Sequence, residues 1–356
     1  MQESFFRKNN IAMWVWGVFC FLGAAEFVDV LGVALTSGQT FGMAAIAVSL
    51  FLGISVIWLL RWLDVLDQEP FSNVIAVVLW GGLAAGYVAG YANESLAVIV
   101  GSVVTESSGW LWAIVAPINE ELLKVLGVAL IIVACRKDIH GVMDGVFYGA
   151  MAGLGFEVVE NIYYYANALQ AAGGTEVTAG IDLLALRTYY AFASSHMAFT
   201  AIAGAGLAYA ATAPVSTTRK VLVATGLMLT AGVLHAFWNS PLFQELGTSP
   251  LYILRGAPAL LVLVAVLMWV SKHEVTLAIS VAKKLPKGLV LKDEIPGLVN
   301  PLRRIAAAIK RTRMPARERK RQIQLRNAQL AVLRAVMLGY EKKIVDARIK
   351  AVRVYR

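Results

Sequence analysis

The segment "APINEELLKVLGVALIIVAC", from Ala116 to Cys135, decides how this chain folds. Nearly all of its residues are apolar, as in a helix that crosses a lipid bilayer, yet it carries Glu120, Glu121 and Lys124. A charged side chain at mid-bilayer costs roughly 2.5–3.5 kcal/mol on insertion scales. Three such groups in one span therefore need pairing, an internal cavity or a chemical task.

The composition is that of a membrane protein. Of the 356 residues, 58% are hydrophobic and 15% are charged, and the mean hydropathy is +0.66. Soluble domains carry about 25% charged residues, so the balance predicts a polytopic membrane protein. Cys20 and Cys135 both lie in apolar runs, which indicates small buried hydrophobes rather than a disulfide or a cysteine metal site.

Eight apolar segments are each near or above the roughly 20 residues that a helix needs to span the hydrocarbon core. The end of the third is open, because residues 97–105 could extend it or form a short interfacial piece. We therefore predict an all-α, polytopic membrane bundle of about eight transmembrane helices. The segments are 11–35, 41–60, 72–92, 110–135, 142–168, 184–211, 221–238 and 252–271.

Basic residues orient this bundle. Lys and Arg occur in alternate connections, whereas the connections 36–41, 93–109, 169–183 and 239–251 contain neither. Positively charged connections stay in the cytoplasm. The pattern therefore predicts a multi-pass protein with both termini in the cytoplasm.

The end of the chain has a different chemistry. Residues 272–356 hold 22 Lys or Arg against 6 Asp or Glu, whereas residues 1–271 hold 10 against 17. We predict a transmembrane bundle over 1–271 and a basic cytoplasmic helical tail over 272–356. In the tail, residues 314–356 carry Ile323, Leu330, Met337 and Ile344 at heptad spacing, which favours one amphipathic basic helix. An anionic lipid surface is the favoured partner, a coiled-coil partner is second, and nucleic acid is third because basic charge alone does not establish it.

Ionisable residues recur at one depth in four of the predicted spans. Counted at about 1.5 Å per residue from the outer span ends, Glu120, Glu160, His196 and His235 all fall in the outer half of the bilayer. Independent structural residues need not share a depth, and ionisable residues inside a membrane are first taken as functional. Their agreement predicts one internal site.

The pairing inside the opening segment is partly predictable. Glu120 and Lys124 are four residues apart and share a helix face, so an ion pair accounts for both. Glu121 points about 100° away on a helix of 3.6 residues per turn, so it needs a partner on another element. Glu157 is left outside the predicted site, because it lines the bundle or faces a loop equally well.

Two carboxylates and two histidines in a partly dry cavity suit general acid–base activation of water. Imidazole N–H groups and the amide of Asn239 are suitable donors for a developing oxyanion. The chain contains no glycine-rich phosphate loop, no GxSxG elbow and no HExxH helix. We therefore expect no metal and no cofactor, although the ligand types alone leave a Glu/His metal site open.

These residues also carry a resemblance. The motifs "EELLK" from Glu120, "FEVVEN" from Phe156, "SSHMAF" around His196 and "HAFWN" from His235 occur in that order, and "DVLDQEP" (64–70) precedes the third span. Together they resemble the PrsW family of intramembrane proteases, over about residues 60–240. That family is grouped with type II CAAX prenyl proteases and bacterial self-immunity membrane proteins. The chain departs from the pattern of this wider group in two ways. Its basic residue, Lys124, comes four residues after the first Glu, whereas the wider group has an arginine one position further along. It also has Glu160 at the position where the wider group has a histidine.

The resemblance implies glutamate-dependent hydrolysis of a peptide bond in or near the plasma membrane of a bacterium or archaeon. The implied substrate is a membrane-anchored protein such as an anti-sigma factor, cut toward the extracytoplasmic side. It implies nothing about the oligomeric state. The resemblance assigns roles to the site residues as follows: Glu120 and Glu121 activate the water, His196 and Glu160 orient it or relay the proton, His235 and Asn239 stabilise the oxyanion, and Lys124 and Asn161 support them.

Two other functions account for the same intramembrane residues. A proton- or ion-coupled transporter also needs carboxylates and histidines in the membrane, but the sequence lacks clear related halves with interrupted helices. A catalytically silent scaffold of the same group is the other alternative. Loss of Glu120 separates the three, since it would abolish cleavage, abolish flux or matter little.

Overall fold

The computed structural model describes residues 4–37, 39–63, 69–105, 109–171, 187, 195–242, 254–337 and 339–356. Within these ranges the chain is helical and contains no strand, which confirms the all-α class. The chain divides into two compact units. The first comprises Met1–Ile57 and Glu69–Val266, and the second comprises Trp58–Gln68 and Leu267–Arg356.

The helices follow one another in chain order. They are α1 (Ile11–Ser37), α2 (Gln39–Leu63), α3 (Phe71–Leu79), a π-helical segment (Trp80–Ala85), α4 (Gly86–Val100), α5 (Trp110–Ala134), a 3₁₀ turn (Arg136–Asp138), α6 (Val142–Ala171), α7 (His196–Thr212), α8 (Thr217–Asn239), α9 (Ala257–Ala282), α10 (Ile295–Val299), α11 (Pro301–Thr312), α12 (Ala316–Met337) and α13 (Lys342–Tyr355).

In the described part of the chain, six helical stretches are long and apolar enough to cross a membrane, and each matches one of the predicted spans. Of the other two predicted spans, α5 has 25 residues but carries the three ionisable groups of the opening segment. The span 184–211 is described only at Arg187 and from Ser195 onward, so its first half lies outside the described residues. The count of eight therefore stays a prediction. The six stretches are Ile11–Thr36, Met43–Arg61, Phe71–Val100, Val142–Ala168, Thr217–Asn239 and Ala257–Ala282.

The third span is one continuous helical stretch from Phe71 to Val100. Residues 97–100 therefore extend the span, which decides the point that the sequence left open. The π-helical segment Trp80–Ala85 interrupts its regular α-helical winding. Such π-segments are often found at functional sites, and this one immediately precedes the part of the helix that reaches the candidate site.

Helices α6 and α7 pack so closely that glycine is required between them. A Cβ atom added at Gly149 would lie 2.2 Å from the backbone oxygen of Thr200, and one added at Gly153 would lie 2.3 Å from that of His196. Real Cβ atoms do not approach backbone this closely, so any side chain would push the helices apart. Small residues allow such contact between membrane helices. This packing fixes His196 against α6.

The second unit has its own apolar core, in which Leu298, Leu333 and Val352 from three helices are buried. The heptad pattern predicts one amphipathic helix over this region, but the structure has two, α12 and α13. Gly339 lies between them with a φ of 62°, a left-handed conformation that favours glycine. The prediction of a single helix is therefore wrong for this stretch. Leu330 and Leu333 are buried in a local core that helices of the second unit share, instead of lying along one face of a long helix.

Candidate active site

Glu121 lies at the centre of a buried network in the first unit. Its carboxylate is 1% exposed and contacts side chains of α7, of α8 and of its own helix, α5. His235 Nδ1 of α8 lies 2.9 Å from Oε1, and Thr200 Oγ1 of α7 donates to Oε2 at 2.9 Å. The prediction that Glu121 needs partners on other elements is met by these two side chains. Because a carboxylate only accepts hydrogen bonds, His235 donates to it through Nδ1–H.

Lys124 supplies the positive charge of this network. Its Nζ atom lies 2.6 Å from Glu121 Oε1 and 3.7 Å from Glu120 Oε2. The predicted pair with Glu120 is present, but the shorter contact is with Glu121, one helical turn away. Nζ also lies 2.8 Å from His196 Nδ1 and 4.3 Å from the centre of the Phe156 ring. Because an ammonium only donates, His196 Nδ1 is the acceptor in this bond.

Glu120 has one satisfied oxygen and one open oxygen. Asn93 of α4 donates to Oε1 at 3.2 Å. Within the described part of the chain, no side chain or backbone group makes a hydrogen bond to Oε2. Oε2 lies 3.9 Å from His196 Nδ1 and 3.8 Å from His235 Nε2. A buried acceptor without a donor is costly, so this oxygen is the chemically available atom of the network.

His196 is the first residue of α7 and bridges the network to α6. Its Nε2 lies 2.9 Å from Glu160 Oε2, and with Nδ1 already accepting from Lys124, Nε2–H donates to this carboxylate. Arg187 forms an ion pair with the same oxygen of Glu160 and also donates to Asn161 Oδ1. Both ring nitrogens of His196 therefore have protein partners.

A cavity of about 570 Å³ opens beside the network. Glu120, Glu160 and His196 line it, together with Asn239, the last residue of α8. Residues with carboxylate, imidazole and amide side chains thus line a space large enough for a small segment of peptide.

The structure places the predicted site residues unevenly. Six of them contact one another directly. Asn161 joins this set through Arg187, which pairs with Glu160, and Asn239 lines the cavity. The connected six are Glu120, Glu121, Lys124, Glu160, His196 and His235.

Sequence reasoning missed Thr200, Asn93 and the partner of Glu157. Thr200 follows His196 by one helical turn, and this spacing is a signal that could have found it. Asn93 is a polar residue in an apolar helix and gives a weaker signal. Glu157 is 1% exposed and accepts a hydrogen bond from Ser195, so it is a buried member of the bundle rather than a water-facing group.

Three side chains of the network are able to hold a metal ion. Glu120, His196 and His235 each offer one ligand atom, and these atoms all lie within 4.8 Å of one another. Two histidines with one carboxylate form a ligand set used by zinc hydrolases.

Comparison with known proteins gives one finding. A family model described as PrsW family intramembrane metalloprotease matches residues 69–271, which include every residue of the network. No curated protein and no solved structure matches the chain.

Proposed function

Because the chain belongs to the PrsW family of intramembrane metalloproteases, we propose that it hydrolyses a peptide bond of a membrane-anchored protein with water activated by Glu120. The chain is a multi-pass membrane protein. The observation that carries the proposal is the position of Glu120: the residue lines the cavity, and its buried Oε2 accepts no hydrogen bond from any described group.

The geometry supports one position for the attacking water. If His235 donates through Nδ1–H to Glu121, its Nε2 carries a lone pair in the neutral ring. Nε2 and Glu120 Oε2 are then two acceptors 3.8 Å apart. One water at about 2.8 Å from each can donate one proton to each of them, which leaves an oxygen lone pair free for the carbonyl carbon.

The reaction then follows from the chain's own groups. Glu120 takes a proton as the water oxygen attacks the carbonyl carbon, and it returns that proton to the amide nitrogen as the C–N bond breaks. The amide of Asn239 is the donor that we assign to the oxyanion. The resemblance implies that His235 stabilises the oxyanion. We assign it instead to holding the water, because the Nε2 atom of neutral His235 is an acceptor beside Glu120 Oε2.

Glu121, Lys124 and His196 act by holding these groups in place. The polar side-chain atoms of each of these three residues already form hydrogen bonds or ion pairs within the network. None of the three is therefore available as the base. Locked side chains behind a reacting group keep its geometry. We therefore assign Glu121 to a positioning role, whereas the resemblance implies a share in activating the water.

The description of the family names a metal, and three residues match one in ligand type and spacing, but Lys124 already occupies the His196 nitrogen that would bind it. Glu120, His196 and His235 would hold the ion. Glu160 and Glu121 bind the far nitrogens of the two rings, as carboxylates behind metal-binding histidines do. When bound, such an ion supplies Lewis-acid polarisation of water or of a carbonyl. It would need the Nδ1 lone pair of His196, to which Lys124 donates at 2.8 Å.

A quantitative comparison of membrane proteins tests this function. Cells with the wild-type protein and cells with Glu120→Gln are compared for membrane-anchored proteins that accumulate uncut. We expect at least one such protein, with an extracytoplasmic cleavage site, and an anti-sigma factor is the class that the resemblance suggests. If the two membranes contain the same intact proteins, the proposal of a protease is wrong, and a scaffold or transporter takes its place.

We propose that both termini lie in the cytoplasm, which puts the cavity toward the extracytoplasmic side. The support is the alternation of Lys and Arg among the connections. Reporter fusions after Gln170 and Gly247 should read as extracytoplasmic, and fusions after Asp138, Pro214 and Arg356 as cytoplasmic. A cytoplasmic signal after Gln170 would overturn this orientation.

A further inference from the structure

Two glycines of α4 lie on the face of that helix that leads to the candidate site. Gly86 and Gly90 are one turn apart, and Asn93 follows three residues later, so the three share one face. Asn93 donates to Glu120 Oε1 at 3.2 Å. At about 1.5 Å per residue, Gly90 and Gly86 lie roughly 4.5 and 10 Å from Asn93 along the helix axis.

Helix packing does not explain these two glycines. In the π-helical segment, a Cβ atom at Gly81 would lie 1.9 Å from the backbone oxygen of Ala152, so close packing on α6 demands glycine there. At Gly86 and Gly90 an added Cβ meets no atom within 4 Å among the described residues. Glycine inside a helix is less favourable than alanine by about 1 kcal/mol, and no described helix packs on these two positions closely enough to offset that cost.

Gly86 and Gly90 differ from other uncrowded glycines of the chain because they line the cavity. Gly226 and Gly232 of α8 also have no atom within 4 Å of an added Cβ, but they do not line the cavity. Gly86 and Gly90 do line it, and Glu120 and His196 line the same cavity. The glycine face and Glu120 therefore border the same cavity. Glu120 is 5% exposed, and its buried Oε2 accepts no hydrogen bond from any described group.

We propose that Gly86 and Gly90 form the wall of the subsite that receives the substrate chain next to the scissile bond, and that they set the size of substrate residue accepted there. The inference rests on the proposed function. The occupant is an unwound stretch of the substrate's own membrane segment. An extended chain rises about 3.3 Å per residue, so the distance from Asn93 to Gly86 accommodates about three substrate residues. Absence of a side chain lets the substrate backbone approach α4 closely.

The test uses the full-length protein and the membrane proteins that accumulate uncut with Glu120→Gln. Gly86→Ala, Gly86→Val and Gly86→Leu are compared with Gly232→Leu, a matched change outside the cavity. We expect cleavage to fall progressively along the series, by at least tenfold for Gly86→Leu, while Gly232→Leu cleaves like wild type. Shortening the substrate residues near the cleavage site to Gly or Ala should restore cleavage by Gly86→Val, which a merely structural defect would not allow.

A second variant keeps the test decisive if Gly86→Leu does not fold. Gly90→Cys adds only a small side chain, and it is placed in Glu120→Gln protein with Cys20 and Cys135 replaced by Ala. A single cysteine near the cleavage site of the accumulated substrate should crosslink to position 90 and not to Gly226→Cys. Normal cleavage by Gly86→Leu, or no crosslink at position 90, overturns the subsite. A failure of Glu120→Gln to accumulate any protein instead overturns the proposed function.

Discussion

The two units of the molecule carry their charges in opposite ways. In the first unit, Lys124 is 0% exposed and contacts Glu120 and Glu121 within a set of polar partners. In the second unit, Lys320 and Arg321 are exposed on α12. The first unit carries few Lys and Arg and the second carries many, so the number of charges does not indicate where the chemistry lies.

The difference is one of free energy. A buried ion pair survives only if its partners and hydrogen bonds offset the loss of water, whereas a solvated surface charge costs little and contributes little. A sequence keeps charges in an apolar interior only where they serve a purpose that apolar residues cannot. The buried set therefore indicates a site, and the exposed set indicates only a basic surface.

The largest expected effect comes from removing the base. Glu120→Gln keeps the size of the side chain and one acceptor oxygen but cannot take a proton from water, so cleavage should fall by about 100-fold or more. The same change in the second unit, Glu318→Gln at an exposed position, should leave cleavage unchanged. Both are measured with purified protein in detergent and the identified membrane-anchored substrate. Equal rates for Glu120→Gln and wild type would show that the carboxylate serves packing alone.

The next effect concerns stability. Lys124→Met keeps the length of the side chain but leaves Glu121 and Glu120 without their nearest positive charge. Breaking a buried pair in this way destabilises a protein by about 3–5 kcal/mol, so thermal unfolding in detergent should shift down by several degrees. Lys320→Met, the matched change on α12, should shift it little because exposed substitutions fall within about 0.5 kcal/mol. Similar shifts for the two variants would remove the contrast between the units.

The residues that converge in the first unit were predictable because charge in an apolar span is rare. The sequence places Glu120, Glu160, His196 and His235 at one depth, and the structure brings all four into one set of contacts. Their catalytic role stays a prediction. The bundle class was predictable for the same reason, since long apolar runs leave few other folds.

What the sequence did not predict depends on short polar residues and local backbone. Asn93 and Thr200 bond to Glu120 and Glu121. Asn and Thr are tolerated in membrane helices for many reasons, so the residue type carries little signal, and only the spacing of Thr200 from His196 points to the site. The π-helical segment Trp80–Ala85 leaves no mark in the apolar pattern. In the second unit, the turn at Gly339 was hidden because the heptad spacing continues across it.

A smaller effect is expected from the exposed charges. We propose that the basic surface of the second unit binds anionic lipid, at about 1 kcal/mol for each Lys or Arg near the membrane surface. Replacing Arg317, Arg319 and Lys320 together by Gln should reduce the anionic lipid that stays bound in native mass spectrometry, while the unfolding temperature stays the same. Unchanged lipid retention would leave a protein partner as the second explanation for this surface.

The smallest expected effect is that of a chelator on purified enzyme. His196 Nδ1 is bonded to the Lys124 ammonium at 2.8 Å, and one lone pair cannot serve both a lysine and a metal ion. A dication at the three candidate ligands would also lie close to that ammonium, where like charges repel. We therefore expect cleavage to survive chelation, and the purified protein to contain far less than one zinc ion per chain. Loss of cleavage on chelation with recovery on added zinc would reverse this. It would make Glu120, His196 and His235 the ligands, and Lys124 would then have to leave His196 when the ion binds.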